Sequence, residues 1–310
     1  MENTRAKTTR NSLILLLTAT IWGMAFVSQS KGMDYMHPFT FNGVRSLIGA
    51  AGILVYILIS RKIAGDKAAK LDWKLNVRAG LLCGIFLTIA STLQQFGIKY
   101  TSVGKAGFIT TLYIIFVPMF GIFLKKKVAP VVWAAASMAA VGMYLLCMTE
   151  SLRLGAGDIM VFLCAIAFAI QIMTVDHYAA RIDGAVVSCI QFTVCGVVCC
   201  IGALIWGQPT FGQLQEGLGA LLYAGVLSCG VGYTLQIVGQ KGLNPTVAAL
   251  IMSLESVIAT ISGWIAYKIG FLSTDQTLTP RQIAGCVIVF AAVILVQLPP
   301  EWFRLGKKNA

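Results

Sequence analysis

Charge is what this sequence has least of. Only 12% of its 310 residues are Asp, Glu, Lys or Arg, and the acids number just 12. A soluble globular domain carries roughly twice that fraction, about 25%, so a water-solvated surface is not what this chain is built for. Histidine occurs only at His37 and His177, both expected in loops and without partners at metal-ligand spacing, so no metal site is expected. Nine cysteines (Cys83, Cys147, Cys164, Cys189, Cys195, Cys199, Cys200, Cys229, Cys286) all fall in apolar stretches and form no Cys-x-x-Cys pair. They read as small hydrophobes, not as a redox or metal cluster. Walker loops, dinucleotide fingerprints and Gly-x-Ser-x-Gly elbows are missing too. No loop is long enough to house a catalytic or ATP-hydrolysing domain. These absences argue against an enzyme, a cofactor and ATP-driven work on this chain.

What is there is apolar. Hydrophobic residues make up 57% of the chain and the mean hydropathy is +0.81. They arrive in blocks of 17 to 25 residues, the length needed to cross a hydrocarbon slab of about 30 Å at 1.5 Å per helical residue. Ten blocks can be marked, at about 12–28, 39–60, 77–98, 104–124, 128–148, 159–175, 184–206, 218–239, 245–267 and 282–298. The expected fold is therefore an all-α membrane protein with ten transmembrane helices. Within the third block, Gly80 and Gly84 are spaced to let another helix approach closely. Pro118 is expected to interrupt the fourth.

The chain also contains one stretch twice. Residues 92–126 and 234–268, displaced by 142 without a gap, match at ten of 35 positions, including a shared Thr-Leu-Gln-x-x-Gly-x-Lys. Ten spans then divide into two halves of five, 12–150 and 151–298, flanked by short polar tails at 1–11 and 299–310. An odd number of crossings flips the second copy, so the repeats are expected to be inverted in the bilayer. The net charge of +12 fits that picture better than it fits a nucleic-acid surface. Seventeen of the 24 basic residues fall on one face of the predicted topology and six on the other, with Arg45 inside a span. The positive-inside rule places the basic face, and with it both termini, in the cytoplasm. An inverted repeat is a mark of secondary transporters, because exchanging the conformations of the halves converts inward-open to outward-open.

The Trp22-Gly23 pair, Ala-Gly-Phe-Ile-Thr-Thr-Leu-Tyr at 106–113 and Ala-Ala-Leu-Ile-x-Ser-Leu-Glu-Ser-Val at 248–257 carry a resemblance. Together with the two five-helix halves they look like the EamA-type branch of the drug/metabolite transporter superfamily, over about residues 12–298. The resemblance implies export of amino acids, other metabolites or drugs across a bacterial inner membrane, by a monomer or a homodimer. Two departures stand out. Members often have Pro where this chain has Ser256, and span 1 lacks the proton-binding glutamate of the related small multidrug exporters.

Eleven of the twelve acids lie in tails, loops or span ends; Glu255 sits near mid-span. Its repeat mate is Tyr113, so pseudo-symmetry puts an acid and a phenol at equivalent depth, where repeat-built transporters bind substrate. A charge at the bilayer centre costs at least about 2.5–3.5 kcal/mol and so faces the protein interior or water. Glu255 is thus a candidate substrate contact and the one good carrier if protons are coupled. The competing reading is a glutamate merely paired within the bundle. Arg45 reads either as a fork for a substrate carboxylate or phosphate, or as a side chain snorkelling to the interface. An offset of 146 places Gln191 opposite Arg45 and Ser188 opposite Asn42, adding Asn42 and Gln191 as candidates. Trp22, Tyr233 and Trp264 lie within spans and suit an aromatic cavity or core packing, and Gln171 is polar at mid-membrane. Gln94 and Gln236 recur at matched positions, where hydrogen bonds inside each half explain them at least as well as substrate does. The leading function is a secondary transporter of small molecules. A lipid flippase, a facilitator without coupling and a scaffold subunit remain as alternatives, whereas a membrane-embedded enzyme lacks its cluster of nucleophile, base or metal ligands.

Overall fold

The computed structural model describes residues 2–65, 71–125, 130–147, 155–273 and 275–297. Lys67, Lys70, Lys126, Lys127, Arg153 and the tail from 299 onward, which enter the topology argument, lie outside the described residues. Everything described is helix or connection, with no strand among the described residues. Helices α1 (Glu2–Gly32), α2 (Pro38–Ala64) and α3 (Trp73–Ile98) are continuous. The next apolar block is split into α4 (Val103–Thr111) and α5 (Tyr113–Phe123), and α6 follows at Pro130–Cys147. The second half opens with α7 (Ala156–Tyr178) and α8 (Gly184–Gly202), then a short α9 (Phe211–Glu216). The eighth block is α10 (Leu218–Leu222), a π-helical stretch Tyr223–Gly232, and α11 (Tyr233–Gln240). The ninth is split like the fourth, into α12 (Pro245–Met252) and α13 (Leu254–Lys268), and α14 (Pro280–Gln297) ends the described chain.

Eight of these blocks are long and apolar enough to cross a membrane; the fifth and tenth appear as shorter apolar helices, Pro130–Gly142 and Pro280–Leu295. The protein is a multi-pass membrane protein. Helix starts follow from the sequence. Pro38, Pro130, Pro245 and Pro280 stand at first helical positions, where no donor is lost. Side chains of Asp72, Ser102, Asp183 and Asn244 accept hydrogen bonds from the first-turn amides of α3, α4, α8 and α12. The outer faces keep the hydrocarbon in contact with apolar groups: Leu54, Leu58 and Ile59 on α2 and Ile283, Val287 and Phe290 on α14 are all about half exposed or more.

Inside, the two sequence halves interleave instead of standing side by side. Helix α2 packs on α8, α3 on both α7 and α8, α1 on α13, and α6 on α14. The glycine pair of α3 is where the close approach to α8 occurs. A Cβ at Gly80 would lie 2.6 Å from Ile190 Cβ, and one at Gly84 2.9 Å from Val194 Cβ. Polar ties join the halves at the helix ends. Lys105 Nζ pairs with Asp158 Oδ2 at 2.6 Å, and Thr101 Oγ1 donates to Asp158 Oδ1 at 2.8 Å. At the basic face, the Asp183 amide donates to Asn76 Oδ1 at 2.9 Å, and Asn11 Nδ2 to the Lys241 carbonyl at 2.8 Å.

The breaks in the fourth and ninth blocks occupy almost the same place in the repeat, at Leu112 and Ser253. Pro118, expected to interrupt the fourth block, sits inside α5, and the break comes six residues earlier. The proline ring meets the carbonyl four residues before it, that of Ile114, so it does not account for the break at Leu112, where Thr111 Oγ1 donates to Phe108 O at 2.9 Å. The ninth block breaks without proline. There the hydroxyls take up freed carbonyls: Ser253 Oγ donates to Leu250 O at 2.7 Å and Ser256 Oγ to Ser253 O at 2.8 Å. Irregular backbone at membrane depth is tolerated where side chains re-satisfy it and protein surrounds it.

Candidate functional site

The first residue of α5 is Tyr113 and the second of α13 is Glu255, so each break delivers its side chain into the interior. The two meet there, Tyr113 Oη donating to Glu255 Oε1 at 3.1 Å. They line a small central cavity whose free space is about 30 Å³, room for about two waters. Helix α1 reaches this point because residue 23 is glycine. A Cβ there would lie 2.7 Å from the Glu255 carbonyl oxygen and 2.6 Å from Ile258 Cβ.

Arg45 enters the same cavity from α2. It does not snorkel. It is 5% exposed, its Nε and Nη2 donate to Asn42 Oδ1 at 3.0 and 2.8 Å, and its guanidinium lies 5.4 Å from the Phe41 ring centre. Asn42 is itself held by α3 and α8, with Nδ2 donating to Ser91 Oγ at 3.0 Å and to Cys199 Sγ at 3.2 Å. Ser46 and Ser91 both lie within hydrogen-bond reach of Cys195 Sγ, at 3.5 and 3.4 Å. The arginine is therefore anchored through one acceptor, with no carboxylate paired to it among the described residues. One cavity thus presents a guanidinium and a carboxyl that do not neutralise each other directly.

Aromatic rings make up much of the remaining wall. Trp22 and Tyr233 have ring centres 4.5 Å apart, and Phe192 packs edge-on against Tyr233 at 5.0 Å. The Trp22 indole nitrogen is buried without a partner, as are Gln29 Oε1, Gln171 Nε2 and Gln236 Oε1, all from cavity-lining residues. Buried polar atoms are normally satisfied, so these four are ready contacts for a ligand or for water. Gln94 and Gln236 make the hydrogen bonds expected within each half and also line the cavity. Gln94 Nε2 donates to Thr110 Oγ1 and Gln236 Nε2 to Gln171 Oε1, each at 3.2 Å.

Seven of the nine candidate residues are thus brought together: Glu255, Tyr113, Arg45, Asn42, Trp22, Gln171 and Tyr233. Two are not among the lining residues. Gln191 is buried beside Gly84, with both amide atoms unpartnered, and Trp264 is half-buried on α13. Sequence reasoning passed over Gln29, Ser228, Phe168 and Phe192. Gln29 and Ser228 were findable as polar residues in apolar blocks, whereas the phenylalanines carry no signal among so many apolar neighbours. Ser228 and Cys229 come from the π-helical stretch, an irregularity often found at functional sites. Among the described residues no group of His, Cys, Asp or Glu is arranged to hold a metal.

Comparison with known proteins agrees with this architecture. An uncharacterized transporter of Archaeoglobus fulgidus is 27% identical over 290 residues, 92% of this chain and 84% of its own length. The uncharacterized transporter YwfM of Bacillus subtilis is 24% identical over 294 residues, 94% of each chain. A solved crystal structure, 16% identical, has the same fold with a TM-score of 0.73 over 96% of this chain and 99% of its own. The EamA-like transporter family matches twice, at residues 10–148 and 155–298, and the chain is a member of that family.

Proposed function

We propose that the protein is a secondary transporter that exports small organic metabolites, such as amino acids or drugs, by alternating access. Ten spans in two inverted five-helix repeats would form it, with both termini in the cytoplasm of a bacterial cell. The observation that carries this reading is the pairing of repeat mates: Tyr113 and Glu255 meet at breaks placed alike in the two copies, on one cavity between them. Interleaved packing supports it. Helix α1 lies on α13 as α7 lies on α4 and α5, and α2 contacts the π-helical stretch as α8 contacts α3.

The cavity chemistry narrows the cargo. Arg45 has spent two nitrogens on Asn42 and leaves the rest of its fork for a carboxylate or phosphate. Glu255 suits an ammonium group, and the aromatic wall suits an apolar body with a cation–π face. In the mechanism, substrate enters as the cavity opens, the halves rock about the two breaks, and Glu255 exchanges a proton or simply releases the ammonium. The test is counterflow in proteoliposomes loaded with amino acids, compared with their methyl esters and decarboxylated amines. Selective counterflow of the zwitterions is expected. Absence of counterflow for every solute, from folded and correctly inserted protein, would overturn the proposal.

A further inference from the structure

A second, larger space lies outside the central cavity and is almost wholly apolar. It is a crevice of about 600 Å³ that opens sideways between α1, α10 with the first π-helical turn, and α13. Met24 and Val27 form one wall, Tyr223 another, and Ile258, Ser262 and Ile265 the third. Tyr223 Oη fixes its wall to α1 by donating to the Ile21 carbonyl at 3.1 Å. All these residues belong to membrane-spanning blocks, in the halves of those blocks away from the basic loops. In the orientation proposed above, the walls of the crevice therefore stand at hydrocarbon depth in the leaflet away from the basic loops.

The duplication makes the crevice informative. The repeat mates of Ile258, Ser262 and Ile265 are Phe116, Phe120 and Phe123. In the first copy the rings of Phe116 and Phe120 stack at 6.4 Å, and Phe116 packs edge-on against Phe162 of α7 at 5.6 Å. The second copy has smaller side chains where the first has rings. The volume left is within the range of about 300–1,000 Å³ that accommodates an elongated organic ligand. At its far end lies Phe271, and Lys31 Nζ stands 5.9 Å from that ring centre. Lys31 has three donors, of which Asp34 takes one at 3.0 Å.

We infer that this crevice holds one acyl chain of a phospholipid from the leaflet opposite the basic loops, with the phosphate at Lys31. Hydrocarbon depth, an apolar wall and a cation at the polar end match that occupant and no water-soluble one. The site is one helical turn from the centre, since Ile258 lies three residues beyond Glu255 and against Gly23. A bound chain would thus brace α1 against α13 beside the Tyr113–Glu255 contact. This inference rests on the membrane orientation proposed above but not on any cargo.

The test uses the full chain purified in mild detergent, with retained phospholipid counted by native mass spectrometry. Delipidated protein is then melted with and without added phosphatidylglycerol. Wild type should retain one phospholipid, and added phosphatidylglycerol should raise its melting temperature. Ser262→Phe, which installs the ring its repeat mate carries, should abolish both the retention and the rise. Should that variant fold poorly, Ile265→Phe, at a half-exposed position on the same wall, serves instead. Lys31→Gln should weaken retention without filling the crevice. Equal retention by wild type and a folded filled variant, or no retained lipid in wild type, would refute the inference. Neither readout involves transport, so their failure leaves the cavity reading to be judged by counterflow alone.

Discussion

Tyr113 and Glu255 stand 142 residues apart, the displacement of the internal repeat, and their side chains meet at 3.1 Å in the middle of the molecule. One copy contributes the donor and the other the acceptor. Each residue follows a break in its span, so the contact joins two interrupted helices, one from each half.

Glu255→Gln separates the roles open to this acid. Glutamine keeps size and hydrogen bonding but cannot exchange a proton. If Glu255 couples transport to protons, the variant loses uphill, pH-dependent movement and keeps exchange down a gradient. If it only binds an ammonium group, affinity falls and exchange slows as well. Reconstituted uptake with and without an imposed pH gradient, normalised to folded protein, decides; unchanged activity in both removes Glu255 from the mechanism. Tyr113→Phe should lower stability by about 1–3 kcal/mol, read as a lower melting temperature, because it leaves the buried Glu255 Oε1 without its donor.

For Arg45, charge alone should not suffice. Lysine retains the charge but cannot hold Asn42 Oδ1 through Nε and Nη2 while facing an anion. Losing such a charge-assisted hydrogen bond, worth about 1.5–3 kcal/mol, predicts a roughly tenfold to hundredfold weaker half-saturation for Arg45→Lys. Normal counterflow by Arg45→Gln would take the guanidinium off the substrate.

The proposed orientation rests on 17 basic residues on one face of the predicted topology against six on the other. A cysteine placed at position 70 should resist an impermeant thiol reagent in intact cells and react once the cells are opened. Labelling in intact cells would reverse the topology, and with it the direction assigned to the transporter.

His37 links the α1–α2 connection to pH. Its Nδ1 accepts from the Phe39 amide at 3.4 Å, capping α2, and its ring packs against Phe96 at 5.5 Å. Burial, helped by Lys99, holds its pKa below the usual imidazole value of 6.5. The neutral ring is the form the fold prefers. Its contribution is therefore complete above the unfolded pKa and lost as pH falls through the lower folded one. Melting temperature should decline from about pH 8 to about pH 5. His37→Asn, which caps without titrating in that range, should flatten the decline, and an equal slope in both proteins would exclude His37 as its source.

What the sequence disclosed depended on how each signal is encoded. A mid-membrane acid and a gap-free repeat are conspicuous against apolar background, so Glu255, Tyr113 and the duplication were legible. So was the Gly80–Gly84 contact surface, because four-residue spacing puts both on one helix face. Gln191 shows where alignment runs out. A helix turns about 100° per residue, as 3.6 residues per turn implies, so an uncertain offset moves a side chain off the cavity. The break at Leu112 lies beyond the turn that Pro118 disturbs and carries the same hydroxyl bond as the break at Ser253, Thr111 to Phe108 and Ser253 to Leu250. The break at Ser253 is encoded by serine hydroxyls, which are too common to announce one.

A central space of about 30 Å³ has a thermodynamic consequence for ligand binding. A space that small holds water and not a metabolite, so on the alternating-access reading proposed above the cavity must open before cargo can bind. Measured dissociation constants then equal the intrinsic constant divided by the fraction of molecules open. The Lys105–Asp158 clasp, with Thr101 and the Gly155 amide also on that carboxylate, ties the two halves in the conformation described, and on the proposed mechanism it would weight the closed population. Asp158→Asn should therefore tighten apparent substrate affinity from that side of the membrane while lowering the melting temperature. An arginine or glutamate that never touched cargo would change the same constant by the same arithmetic. Binding and counterflow measured together tell a contact from a population.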